Sequence, residues 1–309
     1  MEYIIISLLC VISAATLTRL LRIIEATKRH SLLTEDVAGC CESLGFVGCS
    51  VICSGVKETD HIEELLGQEY DRYEVIVTLD AEEFPQEFIS IIDRYRMIRV
   101  NSTTSEELPT ARIRALYRSR QRSFRRLILV DKRSATPYDD LDAATSVASY
   151  NYLLPAGKHT HLCARAVEHI AITLSEQSAH DVELFYSKAT DSYIFQRDAI
   201  ISNGGFSPHI IGQIPSTTHL HTYLPLTFSS SRQDSFLPLI AIIIALLCAV
   251  YATAGVLTTI AATTTIAMMV AEARYVSRII APTNCSLPIM LCYIRKMNSI
   301  FKPKKFLFS

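Results

Sequence analysis

No CxxC pair occurs anywhere in the 309 residues, although the chain has nine cysteines. Structural zinc sites and disulfide frameworks rest on tightly spaced, paired cysteines, so neither is expected. The thiols, at positions 10, 40, 41, 49, 53, 163, 248, 285 and 292, are read as reduced and mostly buried. An excess of charge is also missing. Thirty Lys and Arg face 31 Asp and Glu, for a net charge of −1, so no whole-molecule field draws the chain to nucleic acid. Internal repeats and low-complexity tracts are absent too. What the chain has is apolar residues: 49% are hydrophobic and the mean hydropathy is +0.23, an excess concentrated at the two ends.

The N-terminal run "YIIISLLCVISAATL" has no positive charge before it, only Glu2. A cleaved signal peptide carries its positive charge ahead of the apolar core, so this run is expected to stay as a membrane anchor over residues 1–30. Arg19 and Arg22 would snorkel, and Arg19, Arg22, Lys28 and Arg29 place the following domain in the cytoplasm. The alternative, a buried amphipathic helix, fits less well because the run lacks a polar face. Phe236 to Ala271 contains no charged residue over 36 positions. One straight helix of that length would measure about 54 Å against a hydrocarbon core of about 30 Å. A transmembrane hairpin over 236–272 fits better, turning near Ala252–Thr259 with Gly255 available. The tail, 273–309, is basic and is expected at the interface or in the cytoplasm. These segments imply the inner (cytoplasmic) membrane, with membrane lipids as partners and the globular domain facing the cytoplasm. Uncharged spans argue against an ion or solute transporter.

Between 45 and 232 short apolar runs alternate with helical patterns. Strands are expected at "GCSVICS", "YEVIVTLD", "RMIRVN", "RRLILVDK", "NYLLPA" and "VELFYS". Helices are expected at 59–68, 82–95, 139–149 and 162–175, with a basic helical segment between "RMIRVN" and "RRLILVDK". This pattern predicts an α/β domain with a mostly parallel sheet. Ligands of such sheets sit beyond the carboxyl ends of the strands, which singles out Ser54–Asp60, Asp80–Glu83, Asp131–Asp142 and Pro155–His161.

Four segments in order carry a family likeness: "SVICSGVKETDHIEELL", "YDRYEVIVTLDA", "DDLDAATSVASYNYLL" and "YIFQRDAIISNGGFSPH". Together, over about Gly48 to His209, they make the domain resemble a family-2 glycosyltransferase, the inverting class with the GT-A (nucleotide-diphospho-sugar transferase) fold. The resemblance implies a nucleotide-sugar donor, a lipid-linked acceptor and, for an active enzyme, a divalent metal (Mn²⁺ or Mg²⁺). It also implies donor-side roles for Glu58 and Asp80 and an acceptor-side role for Gly204, Gly205 and Phe206. The chain departs from the family's pattern where the chemistry lies. Leu79 replaces the first aspartate of the second motif, and Asp142 replaces the asparagine of ALN. The two DxD aspartates fall at about Gly157 and His159, and no acidic residue follows Phe206 in "SPHIIGQIPSTTHLHTYLPLTF". Inverting transfer needs a base for the acceptor hydroxyl and a stabiliser for the leaving diphosphate, and both sets are missing at the matched positions.

Substitutes exist for each. His159 and His161 could ligate a metal, joined by His219 and His221, or could be loop histidines. Lys158 could meet the diphosphate directly or be solvated. Asp139, Asp140 or Asp142 could serve as base, Asp142 first among them, or could favour a helix dipole. The run "RIRALYRSRQRSFRR" holds seven arginines in 15 residues. It suits anionic lipid or a plain solvated helix, and only Tyr117 and Phe124 could stack on a base, so nucleic acid is not expected as a partner. Two functions follow: a membrane-anchored glycosyltransferase-like protein of cell-envelope glycan or glycolipid synthesis, or a catalytically inactive pseudo-glycosyltransferase acting as binding or scaffold subunit of an envelope enzyme.

Overall fold

Runs of Val, Ile and Leu four to seven residues long are too short for helices and too apolar for a surface, and they build the centre of the domain. In a computed structural model, residues 2–39, 47–100, 108, 113–133, 136–176, 182–229 and 259–277 are described. The strands are β1 (Cys49–Ser54), β2 (Tyr73–Leu79), β3 (Met97–Val100), β4 (Ile113–Ser119), β5 (Leu127–Lys132), β6 (Tyr152–Gly157), β7 (Thr160–Leu162), β8 (Leu184–Ser187), β9 (Ser192–Gln196), β10 (His219–Thr222) and β11 (Thr227–Ser229). The helices are α1 (Glu2–Gly39), α2 (Thr59–Leu66), α3 (Pro85–Tyr95), α4 (Pro137–Val147), α5 (Ala166–Glu176), α6 (Arg197–Ser202), α7 (Ile210–Gln213) and α8 over 259–277.

Nine strands form one sheet in the order β10-β8-β9-β6-β1-β2-β5-β4-β3, and β11 pairs with β7 in a second, two-stranded sheet. Every residue of β1, β2, β5 and β6 is buried. These four central strands run parallel, with Ser54 opposite both Thr78 and Gly157, and Leu79 opposite Asp131. Their carboxyl ends are therefore level. Glu74, buried near the start of β2, accepts from Ser50 Oγ at 2.7 Å, Ser149 N at 2.6 Å and Ser149 Oγ at 3.0 Å. A buried carboxylate is tolerable only with such partners, and these tie β1 and the turn before β6 to β2.

The expectation of a mostly parallel sheet is corrected here. Four pairings are parallel (β1–β2, β1–β6, β2–β5, β8–β10) and four are antiparallel (β3–β4, β4–β5, β6–β9, β8–β9). The physical reason is connection length, because short links can only reverse the chain, whereas parallel neighbours need a crossover. The segment expected to be a basic helix contains β4, which turns back into β5 through seven residues. Edge pairing on both sides overrides the helical reading of its arginines. Likewise β9 follows β8 after four residues and pairs with it antiparallel.

The second correction concerns the membrane. Among the described residues no helix is long and apolar enough to cross a membrane, which overturns the flanking transmembrane helices of the expected fold class. Residues 236–258 of the expected hairpin and 278–309 of the tail lie outside the described residues.

The chain divides into two units, Met1–Leu32 with Ser229–Lys302, and Leu33–Phe228 with Pro303–Ser309. In the first, α1 and α8 are joined by a polar seam. Ser13 Oγ lies 2.8 Å from Thr265 Oγ1, and Arg19 Nε lies 3.0 Å from Oε1 of the fully buried Glu272. Arg19, expected to snorkel toward lipid, instead neutralises a buried carboxylate, as a charge removed from water requires. The second unit is the α/β domain that carries the candidate site.

Candidate functional site

Loops at the carboxyl ends of parallel strands are held by a rigid sheet yet free to vary, which is why ligands bind there. Here β1 runs into the turn at Gly55, whose φ of +70° suits glycine, and then into Lys57, Glu58 and α2. Beside it, β2 is followed directly by Asp80, and β5 ends in Asp131 and Lys132. Helix α4 starts over these ends, with Thr136 Oγ1 accepting from Asp139 N at 3.1 Å and Pro137 in the first turn. That start is a sequence-encoded N-terminus.

The charges at these ends form two clusters. Arg114 reaches from β4 to Asp131 Oδ1 (Nη2 at 2.7 Å, Nε at 3.1 Å), to Glu82 Oε1 at 3.0 Å, and to Asp80 Oδ1. Asp131 and then Asp80, bonded to its guanidinium, push the already high pKa of Arg114 further up. Lys132 is fully buried and pairs with Asp139 and with Asp140 Oδ1 at 3.2 Å. Asp140 is also held by Ser54 Oγ at 3.0 Å, and its carbonyl accepts from Thr78 Oγ1 at 3.2 Å. One aspartate thus fastens α4 to β1, β2 and β5. Across the mouth, Lys57 Nζ lies 2.9 Å from the centre of the Phe84 ring, joining the loops after β1 and β2.

Asp142, the expected base, faces the glycine motif. Its Oδ1 accepts from Phe206 N at 2.7 Å. A Cβ on Gly205 would stand 2.6 Å from its Oδ2. Gly204 and Gly205 have φ of +78° and +106°, so both positions need glycine and one of them also needs the missing side chain. The third and fourth family-like segments therefore meet at one buried carboxyl. Burial pushes the pKa of Asp142 up to about 6, the Phe206 N–H opposing and Asp139 adding to the rise.

A stability prediction follows from that shift. A carboxyl whose folded pKa lies above its unfolded value binds protons more readily in the folded state, so its contribution is full below about pH 4 and is lost as pH rises through about 6. Asp142→Asn keeps an oxygen acceptor for Phe206 N–H and removes the titration. The variant is expected to show a flatter unfolding free energy between about pH 4 and 6 and a gain over the natural chain at pH 7. Urea melts across pH check this, and identical pH profiles would refute it.

The remaining sequence candidates are spread along the same rim. Glu58 is exposed at the cap position of α2 and makes no side-chain cap bond. Lys158 and His159 are exposed on the turn between β6 and β7. His161 sits on β7, with Nδ1 at 2.7 and 2.9 Å from the Glu64 carboxylate of α2. His219 and His221 lie on β10, three strands from β6 and about 14 Å away at normal strand spacing. His219 Nε2 is 3.1 Å from Ile214 O. The histidine pairs are thus not brought together.

Arg114 was not anticipated as a site residue, whereas Asp131 and Lys132 fall in the segment Asp131–Asp142 singled out at the strand ends, without a role of their own. Lys132 and Asp131 had a signal, two charges closing the apolar strand "LILVDK" at its carboxyl end. Arg114 had none, being one of seven arginines in an apparent helix. The metal of the family resemblance does not fit this chain. Mg²⁺ and Mn²⁺ want carboxylate oxygens, and the matched positions are Gly157 and an exposed histidine, His159.

No protein-family model and no curated protein matches the chain. Solved structures do. The structure of S. aureus TarS 1–349 in complex with UDP-GlcNAc is similar at 9% identity with a TM-score of 0.42, covering 85% of this chain and 94% of that one. The TarS 1–349 complex with UDP is similar at 11% identity with a TM-score of 0.40, covering 75% and 71%. Neither likeness bears on what this chain does.

Proposed function

We propose that the α/β unit is a glycosyltransferase-like domain of cell-envelope glycan or glycolipid synthesis that binds a nucleotide-sugar and does not itself transfer the sugar, serving as binding or scaffold subunit of an envelope enzyme. One observation carries this reading: the carboxylates that chemistry would need are engaged. Asp80 and Asp131 are closed by Arg114, Asp139 and Asp140 by Lys132, and Asp142 by the Phe206 N–H. A carboxylate held by a cation is a poor base and a poor metal ligand. What binding needs is present, namely the turn from Gly55 to Glu58 and the face of Phe84, on which a nucleobase can stack in place of Lys57.

Calorimetric titration of the full chain with UDP, GDP and UDP-GlcNAc, with and without Mn²⁺, tests this. Micromolar binding of at least one ligand, independent of Mn²⁺ and without release of UDP from the sugar conjugate, is expected. Phe84→Ala should weaken it about tenfold, since stacking on an aromatic is worth about 1–3 kcal/mol per base. Absence of binding to all three refutes nucleotide recognition, and sugar release refutes the non-catalytic clause. A second reading, transfer with Asp142 as base, is favoured by the raised pKa of about 6. Under it Asp142→Asn abolishes transfer, whereas under the first it alters only stability.

A further inference from the structure

We propose that His61, Glu64 and His161 form a divalent-metal site for an ion of Zn²⁺ type, with a coordination position left open. It stands on its own geometry and does not depend on the nucleotide-binding reading.

His61 and Glu64 are three apart on α2 and so share one face of the helix. His161 is brought over that face by β7, which the pairing with β11 holds in place. One donor atom from each of the three lies within 4.8 Å of the others. The Glu64 carboxylate is central, with His161 Nδ1 at 2.7 Å and His61 Nδ1 at 3.7 Å from Oε2. Three donors about 2.1 Å from a tetrahedral zinc stand about 3.4 Å apart, so small side-chain rotations convert one arrangement into the other.

Two features argue for a ligand rather than a plain ion pair. His61 is 8% exposed, so its Nδ1, 3.7 Å from Glu64 Oε2, meets protein groups in place of bulk water. The His61 and His161 rings touch edge to face, 5.0 Å between centres, and each turns its Nδ1 toward the same Glu64 carboxylate, so two imidazoles and one carboxylate converge on one point. The His161 ring is also fixed by Phe228, stacked at 5.0 Å and 20°, as orienting neighbours fix metal-bound histidines. The donor set of two imidazoles and one carboxylate suits Zn²⁺ or Fe²⁺ and disfavours Mg²⁺. His61 and Glu64 are nine-tenths buried and 40% exposed respectively, so the open position faces solvent, with Glu58 and His159 the other titratable groups that act on His61.

The full chain, stripped with a chelator and dialysed, should be titrated with Zn²⁺ by calorimetry and with Co²⁺ by visible absorption, with Mg²⁺ as control. The expected result is one Zn²⁺ per chain, a tetrahedral Co²⁺ spectrum and no response to Mg²⁺. Glu64→Gln and His161→Ala, at solvent-accessible positions, should each lower Zn²⁺ affinity about tenfold or more, as should His61→Ala, with circular dichroism unchanged. His221→Ala, on the distant β10, should leave it intact. No stoichiometric Zn²⁺ binding, or binding that survives both Glu64→Gln and His161→Ala, overturns the proposal and leaves a Glu64–His161 ion pair only. Should His61→Ala fail to fold, the other two variants decide.

Discussion

Replacing Lys132 with methionine is expected to destabilise the α/β unit by about 3–5 kcal/mol, the cost of removing one partner from a buried ion pair. Lys132 is fully buried, and Asp140 beside it is only 4% exposed. Methionine fills nearly the same volume, so packing is conserved and the loss reports charge alone. Asp140 would keep the Ser54 Oγ contact at 3.0 Å but lose the cation that balances its buried charge. Because Asp140 also fastens α4 to three strands, the damage should include loosening of the rim. Urea unfolding followed by circular dichroism measures the loss. The double variant Lys132→Met, Asp140→Asn should recover part of it, since of the two carboxylates that lose the cation only Asp139 then remains charged. A loss below about 1 kcal/mol would mean that the pair is effectively solvated.

Gly205→Ala should cost nearly as much, and by a different route. At φ +106° any side chain is strained, by about 1–3 kcal/mol. The new Cβ would also stand 2.6 Å from Asp142 Oδ2 and 2.8 Å from Oδ1, so the carboxylate must move and surrender the Phe206 N–H. A buried donor left without its acceptor costs a further 1–3 kcal/mol or so. Gly204→Ala is the internal control. Its φ is +78°, but a Cβ there meets nothing within 4 Å, so it should show strain alone. The difference between the two variants isolates the contact with Asp142. In an Asp142→Ala background that difference should vanish, a coupling a double-mutant cycle reads directly. Equal losses for both glycines in the natural background would deny that the carboxylate and the turn are in contact.

These two variants address opposite ends of one design. Lys132 neutralises the aspartates that α4 lays over the carboxyl ends of β1, β2 and β5, and Asp142 ties the glycine turn to the same helix, α4. An active transferase needs at least one of these carboxylates available. Their engagement is therefore both a stability device and the observation that favours binding over chemistry.

Much of the local structure was legible in the sequence. The strands β1, β2, β5 and β6 lie where the apolar runs place them, because a run buried on both faces has no other low-energy home. The start of α4 was legible in part, as Thr136, Pro137 and Asp139 are local signals that act within one turn. The glycines at 204 and 205 were marked as a unit, and glycine at φ above zero is itself a local requirement.

Only the tertiary structure decided the remainder, and the reason in each case is that the partner is remote in the chain. Arginines in "RIRALYRS" have no strand signature of their own; β4 exists because β5 and β3 offer edges on either side. That pairing turned an expected parallel sheet into a mixed one and carried Arg114 onto Asp80, 34 positions away, and Asp131, 17 away. Arg19 and Glu272 are separated by most of the chain, so their union could not be read from an apolar N-terminal run. His161 was noticed as one of two alternating histidines, yet its neighbours are Glu64 and His61, 97 and 100 positions upstream. The sequence by itself determined which segments are core, which turns need glycine and where the rim of the sheet would lie. Which charges meet on that rim depended on strand order, because Coulomb and hydrogen-bond energies act over a few ångströms of space and not along the chain.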